Sequence, residues 1–572
     1  MGAGAPHIQN RIVDQGLQDE YSVRMQDAQI SISPSGERYP IPVPEQDRSE
    51  LARLEALARE ARAAGREVVV VLGVGFVGAV MAAVVADSVD ASGKPGKFVL
   101  AVQRASRRSY WKIPVLNRGV SPIKAEDPEV DVLIRRCVLE KKTLVATHLE
   151  EALKLADVVV VDVQCDYRKN AIGNVRDGTA DMIALEDSFR TIARHIDSNT
   201  LILIETTVPP GTTEQIAYPI MKKIFTERGI DSDPLLAHSY ERVMPGRHYV
   251  ASVRDFWRVA SGINDQARER VVKFLNEVLN TRDYPLTVLD RPIESETAKI
   301  VENSYRAAIL AFMDEWSLFA ERNGVDLKKV IEAIKVRPTH SNIMFPGPGI
   351  GGYCLPKDGG LGVWANRHLL GWEENIFKVT PQAIDINDTR SLHVPQLVRD
   401  ALRNLGLPIA AADILVLGAS YREDVGDTRY SGVELIVRRL TEMGASLRVH
   451  DPYLDAWQEL EESEQAHGAG RFFSRQEGLR GLRIEKDLWA AMKGIKALVL
   501  AVRHKEYLEL DPEAVFRAVG GRFAVVDCFC ILDDRRIERY FELGCEVKGM
   551  GRGHIQRIKE RVRARRTNPT PG

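Results

Sequence analysis

Apolar and polar positions along the chain alternate in blocks. Glu67–Leu72 (EVVVVL) is almost wholly apolar, as a central parallel strand requires. Phe98–Val102, Ala156–Val163 and Thr200–Glu205 repeat that pattern, and Met182–His195 is one of the helical stretches between them. This alternation is a βαβ series and predicts a doubly wound sheet. From about 250 to 385 the pattern turns helical; residues 294–322 run without Pro or Gly and predict one long helix. Strand patterns return at Ala412–Leu417, Ser446–His450, Ala497–Ala501 and Phe523–Asp527, which predicts a second, smaller α/β domain. The first 48 residues are polar with little periodicity. Residues 49–64 form a strong helix pattern that stops at Gly65. The end of the chain from Ile558 is basic and reads as a frayed, solvated tail.

The expected fold is therefore α/β, with two Rossmann-like doubly wound domains joined by a long central helix and a helical middle domain. The expected divisions are 1–48 (extension), 49–248 (dinucleotide domain), 249–395 (middle domain), 396–556 (second Rossmann-like domain) and 557–572 (tail). Composition narrows the class. The 572 residues are 44% hydrophobic and 28% charged, with a formal net charge of −2, so no global basic field favours nucleic acid. The six cysteines (137, 165, 354, 528, 530, 545) form no CxxC pair, and no metal-ligand set is expected. A reduced, cytoplasmic protein without a signal peptide is expected. The apolar run Val68–Val85 is broken by glycines and reads as strand–turn–helix, not as a membrane span.

Four motifs carry chemistry. Gly73-Val-Gly75-Phe-Val-Gly78 follows a strand and opens a helix. Gly73 permits the tight turn, Gly75 the approach of a pyrophosphate, and Gly78 close packing of helix on strand; Phe76 and Val77 complete the turn. The second strand should end in an acid for the adenosine ribose, but Gln103 and Arg104 stand there, followed by Arg107 and Arg108. NAD is the expected cofactor, and NADP is the alternative that the arginines would favour. Thr147 is a further expected cofactor contact. The second motif, Glu205-Thr-Thr-Val-Pro-Pro-Gly-Thr-Thr213, puts Thr207 at the carboxyl edge of the sheet, where such folds bind ligands. The third, from Phe345 to Asp358 (FPGPGIGGYCLPKD), sets four glycines before Cys354 and a cation, Lys357, after it. That setting suits a reactive thiol. In the fourth, Lys299 and Asn303 share a helix face and can meet a developing oxyanion.

With these motifs in order, the chain resembles the UDP-glucose/GDP-mannose dehydrogenase family over about 66–555. SYERVMPG, AKIVENSYRA, Asp427 to Ser431 (DTRYS) and His450-Asp-Pro452 take part in the match. The resemblance implies a four-electron oxidation of a sugar C6 hydroxymethyl to the carboxylate through a thiohemiacetal and a thioester. By position it implies Cys354 as nucleophile, Lys299 and Asn303 at the oxyanion, and Asp358 orienting water or the lysine. It makes Glu241 the base for thioester hydrolysis and Thr207 a helper. Lys357 is expected near the cofactor. Glu241, Arg242, Lys299, Asn303, Gly351, Gly352, Arg422 and Arg429 are expected near the sugar nucleotide. The chain departs from the family pattern at Gln103, at Gln164-Cys165-Asp166, at Tyr421-Arg422, at His340 and at Cys528-Phe-Cys530. The Glu241–Arg247 segment resembles the branch acting on UDP-N-acetylmannosamine or UDP-N-acetylglucosamine, which is favoured. Leu355–Asp358 resembles the UDP-glucose branch, and UDP-glucose and GDP-mannose stay open. A homodimer or larger homo-oligomer is implied, pairing through the long middle helix. The rival of another class is a non-catalytic nucleotide-sugar binder, which would have no need of all of Cys354, Lys299, Asn303, Glu241 and Asp358.

Overall fold

The computed structural model describes residues 30–244, 246–457, 479 and 482–567. The remainder of the polar extension (1–29) and the last five residues lie outside them. Two compact units form. The first takes residues up to 164 together with 183–206 and 212–295; the second takes 165–182, 207–211 and the chain from 296 on.

In the first unit a short hairpin, β1 (Ile30–Ile32) and β2 (Arg38–Pro40), precedes α1 (Pro44–Ala63). The helix starts five residues before the expected position because Pro44 suits the first helical turn and Glu45 and Asp47 face its positive end. The sheet proper comprises β3 (Glu67–Leu72), β4 (Lys97–Val102), β5 (Leu144–Thr147), β6 (Val158–Val161), β9 (Leu201–Ile204), β10 (Leu235–His238), β11 (Val259–Gly262) and β12 (Thr287–Val288). Its order is β12-β11-β10-β9-β6-β3-β4-β5. Neighbours are parallel except β10 and β11. On one face α2 (Gly78–Asp87) and α3 (Pro128–Arg135) close a core of Val69, Val71, Val99 and Val160. On β3 and β4 packs α1, burying Leu54, Ala58 and Ala61.

In the second unit the long helix forms as expected: α7 (Pro292–Arg322) follows α4 (Ile183–His195), α5 (Tyr218–Glu227) and α6 (Asp265–Val278) in the chain. Its first turn lies in the first unit. A small hairpin, β7 (Asp166–Arg168) and β8 (Thr179–Asp181), belongs to this unit, as do α8 (Leu327–Lys335), α9 (Asp358–His368), α10 (Val379–Thr389) and α11 (His393–Asn404). A six-stranded parallel sheet follows: β13 (Asp413–Leu417), β14 (Ser446–His450), β15 (Ile484–Glu485), β16 (Ala497–Leu500), β17 (Ala524–Asp527) and β18 (Glu546–Gly549). Its order is β15-β14-β13-β16-β17-β18, with α12 (Gly432–Glu442) and α11 on one face. On the other lie α13 (Pro512–Val519), α14 (Asp534–Glu542) and α15 (Ile555–Thr567).

One expectation fails here. The tail is not frayed from Ile558: α15 runs to Thr567, because Ile555, Ile558 and Val562 fall on one helical face and are buried. Among the described residues, no helix is long and apolar enough to cross a membrane.

Candidate active site

In the first unit the glycine turn is built as a phosphate cradle. Gly73 has φ +106°, and a Cβ on it would stand 2.6 Å from the Asp162 carbonyl oxygen. A Cβ on Gly78 would stand 1.9 Å from the Gly73 carbonyl. A Cβ on Gly75 would meet nothing within 4 Å. Packing thus dictates the outer two glycines, while the middle one leaves the approach open. No side chain caps α2; the Ala79 and Val80 amides turn back onto the Gly75 and Val77 carbonyls at 3.2 and 3.1 Å, and the positive end of the helix faces the turn where an anion would sit. The Phe76 ring stacks on Tyr249 at 5.1 Å, and Val77 is the residue before the helix. These residues fit the pyrophosphate of a dinucleotide. At the end of β4, Gln103 Oε1 accepts the Val74 amide at 2.9 Å. Arg104, Arg107 and Arg108 are exposed, and Thr147 is buried.

Beneath the turn lies a group that sequence reasoning missed. The Arg258 guanidinium pairs with Glu205, both buried. Asp162 Oδ2 and Glu205 Oε2 are buried, and no donor side chain reaches either oxygen. Burial and the Glu205 charge push the Asp162 carboxyl well above the usual carboxylate range. A proton on Asp162 shared with Glu205 satisfies both. The signal available was only Asp162 at the end of an apolar strand. Also in this unit, Glu241 is buried and accepts the Val243 amide. Arg242 donates to the Trp257 carbonyl at 2.7 Å and lies over the Tyr240 ring at 5.4 Å.

In the second unit the expected residues converge on the start of α9. Cys354 is half-buried, and its carbonyl accepts the Lys357 and Asp358 amides at 3.1 and 2.9 Å. Asp358 is fully buried; it accepts from Lys357 Nζ at 2.8 Å and from Asn303 Nδ2 at 2.6 Å. Lys299, one turn before Asn303 on α7, is buried too. Burial works against the Lys357 ammonium, but Asp358, Cys165 and Cys354 outweigh it and raise its pKa. The ring of Tyr353 lies 4.7 Å from that ammonium and 5.5 Å from the Arg429 guanidinium, and its hydroxyl bonds Asp166. Tyr353 and Asp166 were not singled out together; 187 residues separate them.

The glycine run is held against the turn after β13. A Cβ on Gly351 would stand 2.5 Å from Tyr421 Cβ, and Gly352, at φ +83°, donates its amide to the Arg429 carbonyl at 2.9 Å. The Arg429 guanidinium clamps Asp427, and Arg422 lies half-buried beside Tyr421. Thr207 is buried in a turn whose Gly211 amide donates to Glu296 of α7 at 2.6 Å. Asp451, just after β14, accepts the Ala419 and Ser420 amides at 2.8 and 3.0 Å and His504 Nε2 at 3.1 Å. Burial opposes its charge, yet His504 and those amides hold it below the usual range. Its position in the βαβ unit is that of a ribose acid, a signal the sequence did contain. Asp326, Asp534 and His554 bring ligand atoms within 4.8 Å of one another, but Lys329 and Arg552 already pair with Asp534 at 3.0 and 3.2 Å.

Comparison with known proteins agrees over most of the chain. Three models of one family match: "UDP-glucose/GDP-mannose dehydrogenase family, NAD binding domain" over 67–280, its "central domain" over 293–389, and its "UDP binding domain" over 415–534. A UDP-N-acetyl-D-mannosamine dehydrogenase of Pyrococcus horikoshii is 28% identical over 445 residues, 77% of this chain and 92% of the relative. The solved structure titled as the UDP-D-ManNAc dehydrogenase of Pyrococcus horikoshii superposes with TM-score 0.69 at 26% identity, covering 85% of this chain and 100% of that one. The NDP-N-acetyl-D-galactosaminuronic acid dehydrogenase of Methanosarcina mazei Go1 gives 0.68 at 27%, covering 88% and 98%.

Proposed function

Because the chain belongs to the UDP-glucose/GDP-mannose dehydrogenase family, we propose that it oxidises the C6 hydroxymethyl of a UDP-N-acetylhexosamine to the uronate through a thioester on Cys354. It is an NAD-dependent nucleotide-sugar dehydrogenase, an oxidoreductase with an NAD binding domain and a UDP binding domain. The observation that carries the thioester reading is Cys354 at the head of α9, beside the buried Lys357–Asp358–Asn303 chain.

Bound NAD supplies the hydride acceptor, twice per sugar. The residues of the chain do the rest. As C6 is oxidised to the aldehyde, its hydroxyl proton passes to a base. The Cys354 thiolate then bonds to C6, and Lys299 and the second N–H of Asn303 stabilise the oxygen that gains charge. Loss of the second hydride leaves the thioester. Glu241, helped by Thr207, takes the proton of the attacking water, and the carboxylate and free thiol result. Asp358 fixes Lys357 and Asn303. Arg422 is assigned to the diphosphate, where a guanidinium binds bidentately. Arg242, Gly351, Gly352 and Arg429 shape the sugar-nucleotide side. An N-acetylhexosamine is favoured by the names of the relatives and by the Glu241–Arg247 segment.

The test is a panel of UDP- and GDP-sugars with NAD and NADP, following absorbance of the reduced cofactor. Two reduced cofactors per sugar are expected, with no acid formed by Cys354→Ala. Acid accumulating in that variant sinks the thioester route, and turnover of UDP-glucose or GDP-mannose alone replaces the substrate. We also assign a homodimer to the exposed apolar stripe of α7: Val301, Tyr305, Phe312, Trp316 and Phe319 recur at helical spacing. Light scattering of the purified chain checks it. Five of the six cysteines are buried and all six are free, which supports a cytoplasmic location.

A further inference from the structure

In a doubly wound sheet, the residue after the second strand meets the adenosine ribose, and it is ordinarily an acid. Gln103 stands there, an uncharged side chain whose amide oxygen accepts the Val74 amide at 2.9 Å. A carboxylate nevertheless stands at that end of the sheet. Val102 and Thr147 are register partners on β4 and β5, and the Gln103 amide donates to the Thr147 carbonyl at 3.0 Å. Thr147 is therefore one strand away, about 4.8 Å. Its hydroxyl donates at 3.3 Å to Glu50 Oε1, on α1.

The fold holds Glu50 in that position. Glu50, Leu54, Ala58 and Ala61 share one helical face, and the last three are buried. Asp47 binds His148, the residue after Thr147, at 2.9 Å. The hairpin before α1 grips the arginine-bearing loop: Ser31 Oγ donates to the Arg107 carbonyl at 2.9 Å and accepts the Trp111 amide at 3.1 Å. Glu50 also keeps acceptor capacity. Oε1 takes Thr147 and one Arg53 N–H, and Oε2 takes the other Arg53 N–H, each N–H at 2.8 Å. An ionised carboxylate offers about four lone-pair positions, so one on Oε2 is left, and the side chain is 24% exposed. Burial opposes its charge, but Arg53, Thr147 and His148 hold its pKa below the usual value.

We propose that Glu50 supplies the carboxylate for the adenosine ribose hydroxyls of NAD that Gln103 lacks, so that the start of α1 forms part of the cofactor site. The inference rests on the first unit binding NAD. A 2′-phosphate would meet the Glu50 charge, and the exposed arginines, already hydrated, return little against it. The extension then explains a preference for NAD in a chain whose second strand ends in Gln and Arg.

Calorimetric titration of the full chain with ADP-ribose, which carries the adenosine end and needs no turnover, tests this. Wild-type protein should bind ADP-ribose more tightly than its 2′-phosphate, and Glu50→Gln should weaken ADP-ribose about tenfold, the worth of one charge-assisted hydrogen bond. That variant should also narrow the gap between the two ligands. Glu60→Gln, which removes an exposed carboxylate at the far end of α1, should leave ADP-ribose binding unchanged. Should Glu50→Gln not fold, 2′-deoxy-ADP-ribose on the wild type reads the same contact and should lose the same factor. Equal weakening by Glu60→Gln and Glu50→Gln, or no weakening by Glu50→Gln, overturns the inference. Absence of ADP-ribose binding by the wild type overturns instead the placing of the cofactor in the first unit.

Discussion

Native alkylation should modify Cys354 alone. Among the six cysteines it is half-buried, and the other five are buried. Burial pushes Cys545 up to about 11 and Cys137 and Cys165 up to about 12; it raises Cys528 and Cys530 as well. At pH 8 a thiol of pKa 11 is thiolate in about one molecule in a thousand, and one of pKa 12 in about one in ten thousand, against roughly a quarter for an ordinary thiol. The more basic thiolates are more nucleophilic, which returns about tenfold to fortyfold. The net is a rate about twentyfold to sixtyfold below that of an ordinary exposed thiol, before any steric exclusion. The assay is a brief iodoacetamide pulse at pH 8, a quench into denaturant with a second isotopic label, and peptide mass spectrometry. First-label incorporation at Cys354 only, with loss of sugar oxidation in step, is the expected result. Labelling of any other cysteine at a similar rate, or a Cys354 that stays unlabelled, would refute both the assignment and the reasoning from burial.

Gly75→Ala should weaken NAD binding by calorimetry while leaving the melting temperature in place, since its Cβ has open space; Gly78→Ala, whose Cβ would meet a backbone carbonyl, should cost about 3 kcal/mol and several degrees of melting temperature. The reverse order would show that the turn is built otherwise. Asp358→Asn leaves the buried Lys357 ammonium without its carboxylate and should cost about 3–5 kcal/mol, read as a lowered melting temperature, with Lys357→Met partly rescuing it. Asp162 has a folded pKa above its unfolded value near 3.8, so the stability it contributes is complete below that value and is lost as pH rises through the folded one. Asp162→Asn mimics the protonated form and can donate to Glu205, so its melting temperature should gain on the wild type steadily from about pH 4 upward; a constant difference across pH would contradict a protonated Asp162.

What was legible in the chain was what is written locally. Glu67–Leu72 and Ser446–His450 form strands with the expected bounds, because runs of valine or of alternating residues between turn signals need no distant partner to be read. The 31 residues of α7 declare themselves by lacking Pro and Gly. Glycine spacing and the residues around Cys354 carried the candidate site, since spacing along a helix or turn translates directly into shared faces. The misses have a common cause. Asp162 looks like the polar end of a strand until Glu205 and Arg258 arrive from other strands. Tyr353 acquires a role only from Asp166, on a hairpin 187 residues earlier. Ile558 and Val562 were outvoted by the surrounding arginines, although their spacing of four already marked a buried face.

The two sheets solve one local problem in two ways, and the comparison explains how Gln103 is tolerated. In each, the residue after the second strand latches the turn after the first: Gln103 accepts the Val74 amide, and Asp451 accepts those of Ala419 and Ser420. The latch needs only an acceptor, so an amide oxygen serves as well as a carboxylate. Binding a ribose needs more, because acceptor capacity must remain once the latch is made. Asp451, wired to His504, stays ionised and spreads its contacts over both oxygens, Oδ1 taking the Tyr453 amide. Gln103 has a single, neutral acceptor oxygen, and Val74 already takes one of its two lone pairs. A carboxylate on an added helix can therefore take over the ribose only where the latch has been left to a neutral group, and a second negative charge beside the first would have raised the pKa of both. Restoring the acid with Gln103→Glu should accordingly bring two carboxylates to one end of the sheet, and it should weaken ADP-ribose binding in the wild-type background while improving it in Glu50→Gln. Improvement in both backgrounds would show that the two positions act independently.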